Sequence, residues 1–274
     1  MAAAAKLVQA TGDLPAMPQV ATLVMEKLSS PNAMPKDIHE LLTKDQGLAA
    51  RVLKVANSPY YGASRSISSL KDAVLFMGFD SIKSVVLTAV MKGVFAETGL
   101  AEKLLWEHSL GCGAAARKVA IAIGYSSNEE AFLAGMMHDL GKAILFQRIP
   151  KKMSAIMQDV YNGEADFADL ELENLGFTHA EVGQLVAEKW RFAINIESAI
   201  ANHHHPERAE SVTRLAHIVS LANSMCHKLE IGPTRKPDLD LASLDSAKTL
   251  SLGADEISCI LDELTDAAAG GEEA

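Results

Sequence analysis

Residues 136–142 read Met136-Met137-His138-Asp139-Leu140-Gly141-Lys142. An imidazole and a carboxylate stand side by side in a mostly apolar run, and both suit borderline-to-hard divalent ions such as Zn, Fe, Mn or Ni. Adjacent residues on a helix point about 100° apart, so both reach one ion only from a helix edge facing the site, and other residues must close the sphere. Of the nine histidines, His108, His138, His179 and the run His203-His204-His205 are spread between residues 108 and 205. A lone His-Asp doublet is more often a polar pair satisfied by backbone or water. Imidazoles recurring on separate helices are different, because such helices can converge in a bundle interior.

The segments around these residues carry a helical pattern. Apolar residues recur at helical spacing, alternation of β-branched residues is scarce, and aromatics are only 5% of the chain, which predicts an all-α fold. Helices are expected at 101–123, 129–147, 151–161, 179–190, 196–204 and 212–229, with Gly124, Gly163 and Gly232 near ends where a left-handed cap is common. In the first third, Pro35 suits a helix N1 position ahead of Ile38, Leu41 and Leu42. Leu48, Val52, Leu53 and Ala56 form the next stripe, which Asn57-Ser58-Pro59 ends. Leu70, Ala73, Val74 and Met77 run up to Gly78, after which Asp80 can cap a second helix bearing Ile82, Val85, Val86, Ala89 and Val90. Glu97-Thr98-Gly99 reads as a seam between two halves. Residues 251–266 form a closing helix with Ile257, Ile260, Leu261 and Leu264 on one face, and residues 267–274 a tail that frays.

Composition narrows the function. A chain of 274 residues with 49% hydrophobic and 22% charged residues is large enough for one or two cores and excludes wholesale disorder. Its net charge of −10 disfavours a general grip on nucleic acid or anionic lipid, so an anionic ligand needs a local positive site. Cys112, Cys226 and Cys259 are an odd number with no Cys-x-x-Cys pair, so neither a disulfide framework nor a thiolate zinc knuckle is signalled, and a reducing cytoplasm fits best. Cys112, one turn after His108, reads as a small buried hydrophobe, and the methionines as core filler. His39, His217 and His227 fall outside the pattern, although His227 could approach a site from the helix that carries Asn223. The N-terminus lacks a basic leader, and the apolar run 84–95 is broken by Lys92, short of the roughly 18 residues needed to span a membrane. Walker loops, nucleophile elbows and nucleophile triads are absent from the sequence.

Several stretches together carry a family resemblance. They are Leu14-Pro15-Ala16-Met17-Pro18, Lys44-Asp45-Gln46-Gly47-Leu48, Asn57-Ser58-Pro59-Tyr60-Tyr61-Gly62, Ile67 with Ala73 and Gly78, Trp106-Glu107-His108-Ser109 and Gly135 to Lys142. Thr178-His179-Ala180-Glu181-Val182-Gly183, Trp190 and His203-His204-His205-Pro206 complete the set. The stretch 136–142 resembles the signature doublet of the HD superfamily of metal-dependent phosphohydrolases, which includes the HD-GYP subgroup. Residues 13–209 as a whole resemble the HDOD domain, the HD-related output domain of bacterial signalling proteins.

The resemblance implies an all-helical domain with an N-terminal half at 13–97 and an HD-like half at 98–209, completed by C-terminal helices at 210–266. It implies a mainly regulatory role. His108, His138, Asp139, His179, His203 and His204 match metal-binding positions of HD-GYP-like sites, for one or two ions. The last metal-binding aspartate of HD enzymes aligns with Asn223, a neutral and weaker ligand, which argues against efficient hydrolysis. Lys142 matches a phosphate-contacting lysine and equally reads as a solvated helix residue. No Gly-Tyr-Pro segment follows Pro206, which disfavours cyclic dinucleotides as substrates. Asn57, Ser58, Tyr60 and Tyr61 most simply end a helix and pack. The expectation is a stand-alone cytoplasmic signalling protein that binds a partner protein or a small anionic ligand. The alternative is a metal-dependent phosphohydrolase in which Lys142 stabilises developing charge.

Overall fold

A computed structural model describes residues 2–11, 14–58, 61, 67–95, 99–163, 165–209 and 213–269. Every regular element among them is helical. The chain falls into two compact units, one formed by Ala16–Ala96 with Asp266–Ala274, the other by Met1–Pro15 with Glu97–Thr265. Glu97 and Thr98 of the expected seam lie outside the described residues.

The smaller unit holds α2 (Gln19–Leu28), α3 (Pro35–Leu42), α4 (Gln46–Ala56) and α5 (Leu70–Val94). Pro35 does occupy the first turn of α3. Asp45 caps α4, accepting from the Leu48 N–H at 2.9 Å. Asn57 terminates α4 and then does more. Its Nδ2 donates to the carbonyls of Leu53 and Ile67, both at 2.8 Å, and its Oδ1 accepts from Ile67 N–H at 2.7 Å. One carboxamide thereby ties the end of α4 to the strap leading into α5. Tyr61 packs alongside, its hydroxyl 3.2 Å from Thr88 Oγ1. Pro59, Tyr60 and residues 62–66 lie outside the described residues.

The expected break at Gly78 is present, with φ 74° and ψ 174° interrupting α5. Ile82, Val85, Val86, Ala89 and Val90 beyond it are buried. By length and composition α5 passes as a membrane span, with a mean hydropathy of 1.7 over its most apolar 18-residue window, of which 56% is buried within the protein. Burial of that kind is also what the core helix of a globular unit shows.

The larger unit contains α1 (Ala2–Thr11), α6 (Leu100–Ala122), α7 (Asn128–Met137), α8 (Leu140–Arg148), α9 (Pro150–Tyr161), α10 (Phe167–Leu175), α11 (His179–Lys189), α12 (Ile194–Asn202), α13 (Thr213–Lys228), α14 (Asp245–Thr249) and α15 (Ala254–Ala269) as far as Thr265. The helix expected over 129–147 is two helices, broken at His138 and Asp139. The pattern over 163–178 is too short and too acidic to have announced α10, and α1, α2 and α14 were likewise unmarked. α15 continues through residues 267–269, where fraying was expected. Trp190 Nε1 donates to Pro15 O at 2.8 Å and Lys189 Nζ to Leu14 O at 2.7 Å, which anchors the Leu14-Pro15 segment to the end of α11.

Helices α6 and α7 approach closely because Gly135 lacks a side chain. A Cβ there would sit 2.5 Å from the Cys112 carbonyl oxygen and 2.8 Å from Ala116 Cβ. Beyond the break, a Cβ on Gly141 would collide with the His179 carbonyl, so α8 lies directly against the start of α11. Overpacking at such a site costs about 1–3 kcal/mol, and Gly135→Ala is expected to lower the melting temperature by several degrees. For the smaller unit, Asn57→Ala removes three hydrogen bonds at once and is expected to cost about 1–3 kcal/mol in urea unfolding, with no loss of metal binding.

Candidate metal centre

The break between α7 and α8 decides the geometry. His138 ends α7, and Asp139, at φ −98° and ψ 12°, leads into α8. Released from strict helical spacing, the two side chains point into one buried volume. His108 enters it from α6, His179 from the first residue of α11, His203 and His204 from the end of α12, and Asn223 from α13. All the residues expected at the site are therefore brought together.

Asp139 lies at the middle. Its Oδ1 is 3.1 Å from His179 Nε2 and 3.7 Å from His203 Nε2. Its Oδ2 is 3.4 Å from His138 Nε2, 3.5 Å from His108 Nε2 and 2.7 Å from Lys142 Nζ. His179 Nε2 lies 3.3 Å from His203 Nε2 and 3.0 Å from His204 Nε2. His108 Nε2 is 3.0 Å from Asn223 Oδ1. His205 instead turns outward, exposed, with Nδ1 3.4 Å from Glu207. His227 stacks on His108 with ring centroids 5.4 Å apart.

The outer nitrogens explain this orientation. His108 Nδ1 bonds Ile231 O at 2.8 Å, His138 Nδ1 bonds Gly135 O at 2.6 Å, and His203 Nδ1 bonds Ile200 O at 2.8 Å. His179 Nδ1 bonds Glu171 Oε2 at 2.6 Å, and the same oxygen accepts from the His179 backbone N–H at 2.6 Å. A carbonyl can only accept, so His108, His138 and His203 each carry a proton on Nδ1, and their Nε2 atoms are turned to the interior. The Nε2 atoms face one another.

That arrangement fits a metal. Metal–nitrogen bonds of about 2.1 Å place neighbouring ligand atoms about 3.0 Å apart at right angles and about 3.4 Å apart at the tetrahedral angle. The separations of 3.0, 3.1 and 3.3 Å around His179 Nε2 fall in that range. His138 Nε2 is fully buried without a hydrogen-bond partner, a costly state for a lone pair unless a cation meets it. Ligand atoms lie within 4.8 Å of one another in three overlapping groups: His108, Cys112 and His138; His138, Asp139 and His203; and His179, His203 and His204.

The protonation states agree with this role. Burial holds His138 down to about 4, against the pull of Asp139 beside it. Burial, reinforced by neighbouring imidazoles, keeps His203 and His204 well below the ordinary histidine value, and burial also lowers His108. His179 runs the other way: burial depresses it, but Glu171 and Asp139 outweigh burial and raise it. Burial alone would raise Asp139, yet His138, Lys142 and His179 together hold it well below the carboxylate range.

Two contributors were not read from the sequence. Glu171 is fully buried on α10, and its signal was its register with Phe167 and Leu170 on a helix that went unrecognised. Cys112 Sγ lies 3.5 Å from His108 Nε2, close to the site rather than in plain apolar core. Lys142 is buried as well, with its Nζ 4.4 Å from the Phe167 ring centroid, so it is not a solvated helix lysine.

Residues 14–206 match the HDOD domain family. The chain belongs to the HDOD family. An HDOD domain protein of unknown function from Geobacter sulfurreducens is similar over 98% of this chain and 94% of its own, with a TM-score of 0.83 and 27% identity. A candidate phosphohydrolase from Shewanella amazonensis SB2B superposes with a TM-score of 0.76 over 97% of this chain and 94% of that one. At 24% identity, that likeness shows the fold alone. An uncharacterized protein of Treponema pallidum (strain Nichols) is 24% identical over 224 residues, 80% of this HDOD chain, which spans 43% of that protein's length.

Glu171→Gln keeps the size of the side chain but removes the charge that orients His179. Loss of such a partner weakens metal binding by about 10–100-fold, measurable by competition with a chelating dye. The acid response follows from the lowered histidines. Between an unfolded value of about 6.5 and a folded value near 4 for His138, the unfolded chain binds more protons, so stability falls as pH drops through that window. His108, His203 and His204 act in the same direction, while His179 opposes them. Metal-free protein is expected to melt lower at about pH 5 than at about pH 7.5; equal melting temperatures would contradict the buried neutral imidazoles.

Proposed function

We propose that this HDOD protein is a regulatory binding domain whose larger unit holds one or two divalent ions and, through them, a small anionic ligand whose occupancy is read by a partner protein. The observation that carries this reading is the shared orientation of His108, His138, His179 and His203, each with Nδ1 tied outward and Nε2 turned into one buried volume. Such tethering fixes the tautomer that a metal requires.

His204 supports access for a ligand. It is half-buried and lines a cleft of about 510 Å3 together with Glu207, His217, Ser220, Ser224 and Lys248. The lining also carries Asp245, which pairs with Lys248 at 3.8 Å, so an anion entering here would be held by the ions at the centre rather than by the cleft's own charge. The ions would be held by His108, His138, Asp139, His179, His203 and His204, with Asn223 as a neutral neighbour.

The second reading, hydrolysis of a phosphoester, draws on the same access through His204. A bound divalent ion supplies Lewis acidity and lowers the pKa of water. In this chain Lys142 is committed to Asp139 at 2.7 Å, and Asn223 stands where an aspartate would bring negative charge. Both features favour holding an anion over turning it over.

Metal analysis tests the proposal directly. Protein purified without chelating resin is expected to carry near-stoichiometric metal, lost in His138→Ala and Asp139→Ala variants that keep their helical circular dichroism. Inorganic phosphate is expected to bind the loaded wild type and not the metal-free form, with little turnover of a nitrophenyl phosphodiester. Protein that takes up no metal after reconstitution with Mn, Fe or Zn overturns the reading, and rapid turnover shifts it to the hydrolase.

A further inference from the structure

We propose that Cys112 is a ligand of this centre, contributing as its thiolate the negative charge that Asn223 does not, and that its sulfur makes the side of the centre bounded by His108 and His138 selective for zinc-like ions. The inference rests on the metal-centre reading above and assigns an additional ligand to it.

The spacing on α6 places His108 and Cys112 four residues apart on one helical face. Cys112 is fully buried, and its Sγ lies 3.5 Å from His108 Nε2. Zinc–sulfur bonds of about 2.3 Å and zinc–nitrogen bonds of about 2.0–2.1 Å, at the tetrahedral angle, set the two ligand atoms about 3.6 Å apart. The observed separation therefore matches two ligands of one ion. A ligand atom of His138 lies within 4.8 Å of both, and His138 Nε2 is the buried nitrogen that has no hydrogen-bond partner. Three donors on two helices thus enclose one point.

The thiol's other partners are Cys226 on α13 and the Ala222 carbonyl; burial and Cys226 hold the metal-free thiol well above its ordinary range, so the ion itself must displace the proton. Ala222 O lies 4.0 Å from Sγ, at the outer limit for a sulfur donor. Charge gives the independent argument. Asp139 is already countered by Lys142 at 2.7 Å, and His108, His138 and Asn223 are neutral ligands, so a divalent ion on this side would be left largely uncompensated in a buried site. A thiolate restores a negative charge where it is needed, and the displaced thiol proton leaves to solvent as the ion binds. Thiolate ligation favours zinc, and its spectroscopic surrogate cobalt, over manganese or magnesium.

The test uses the full chain, reduced and metal-free, in a Cys259→Ser background that removes the exposed thiol. Titration with cobalt(II) is expected to give a near-ultraviolet sulfur-to-cobalt charge-transfer band. Cys112→Ser should lose that band and bind zinc on the order of 100-fold more weakly, with a much smaller change for manganese, while Cys226→Ser keeps the band. Cobalt that binds without the band, or a band that survives Cys112→Ser, overturns the role of Cys112 and leaves the metal centre standing. Failure to bind cobalt or zinc at all overturns both. X-ray absorption on the zinc-loaded protein with Cys112 intact removes dependence on variant folding: a sulfur at about 2.3 Å is expected, and a shell of nitrogen and oxygen alone rejects the assignment.

Discussion

A carboxylate buried in the middle of a helical unit must be compensated at once, and Asp139 is the group around which the larger unit is arranged. Its two oxygens face four imidazoles and the Lys142 ammonium. Taking an ion out of water costs several kcal/mol even after relaxation, so the surrounding backbone has to bring partners from distant parts of the chain with little tolerance. Gly135 and Gly141, on either side of the helix break, make that possible. One lets α6 close on α7, and the other lets α8 lie against the head of α11.

The cost does not end with Asp139. His203 and His204 Nε2 stand 3.3 and 3.0 Å from His179 Nε2, so three imidazole nitrogens crowd one point and can share few protons among them. His179, raised by Glu171 and Asp139 against its burial, can carry one proton there, while burial holds His138, His203 and His204 neutral. A cation is the other remedy. Any ion that binds only the native state adds its binding free energy to folding, so an ion held at this centre would link the larger unit's stability to metal supply.

The smaller unit is built on different terms. It is organised by local caps and a single clamp: Asp45 and Ser69 at helix starts, Asn57 across the strap, and the apolar face of α5 beyond Gly78. Among the described residues, it gathers no cluster of titratable groups like that of the larger unit, and Asn57 is a helix stop that also fastens the following segment.

Local spacing in the sequence was enough to settle the helical class, the turn at Gly78, the start at Pro35 and the stop at Asn57, because each depends on neighbours three or four residues away. The recurrence of imidazoles, with the family resemblance, also pointed to the residues that meet. What only the tertiary structure decided are the contacts between residues far apart in the chain. The split of 129–147 into two helices follows from the demand that His138 and Asp139 face one volume, which outweighs a continuous helical pattern. Glu171 becomes the partner of His179, Cys112 becomes a neighbour of the site, and Lys142 becomes a buried counter-ion. A one-dimensional pattern cannot distinguish a buried glutamate from a solvated one, or a core thiol from a ligand, since their difference lies in the packing of helices brought together from many residues away.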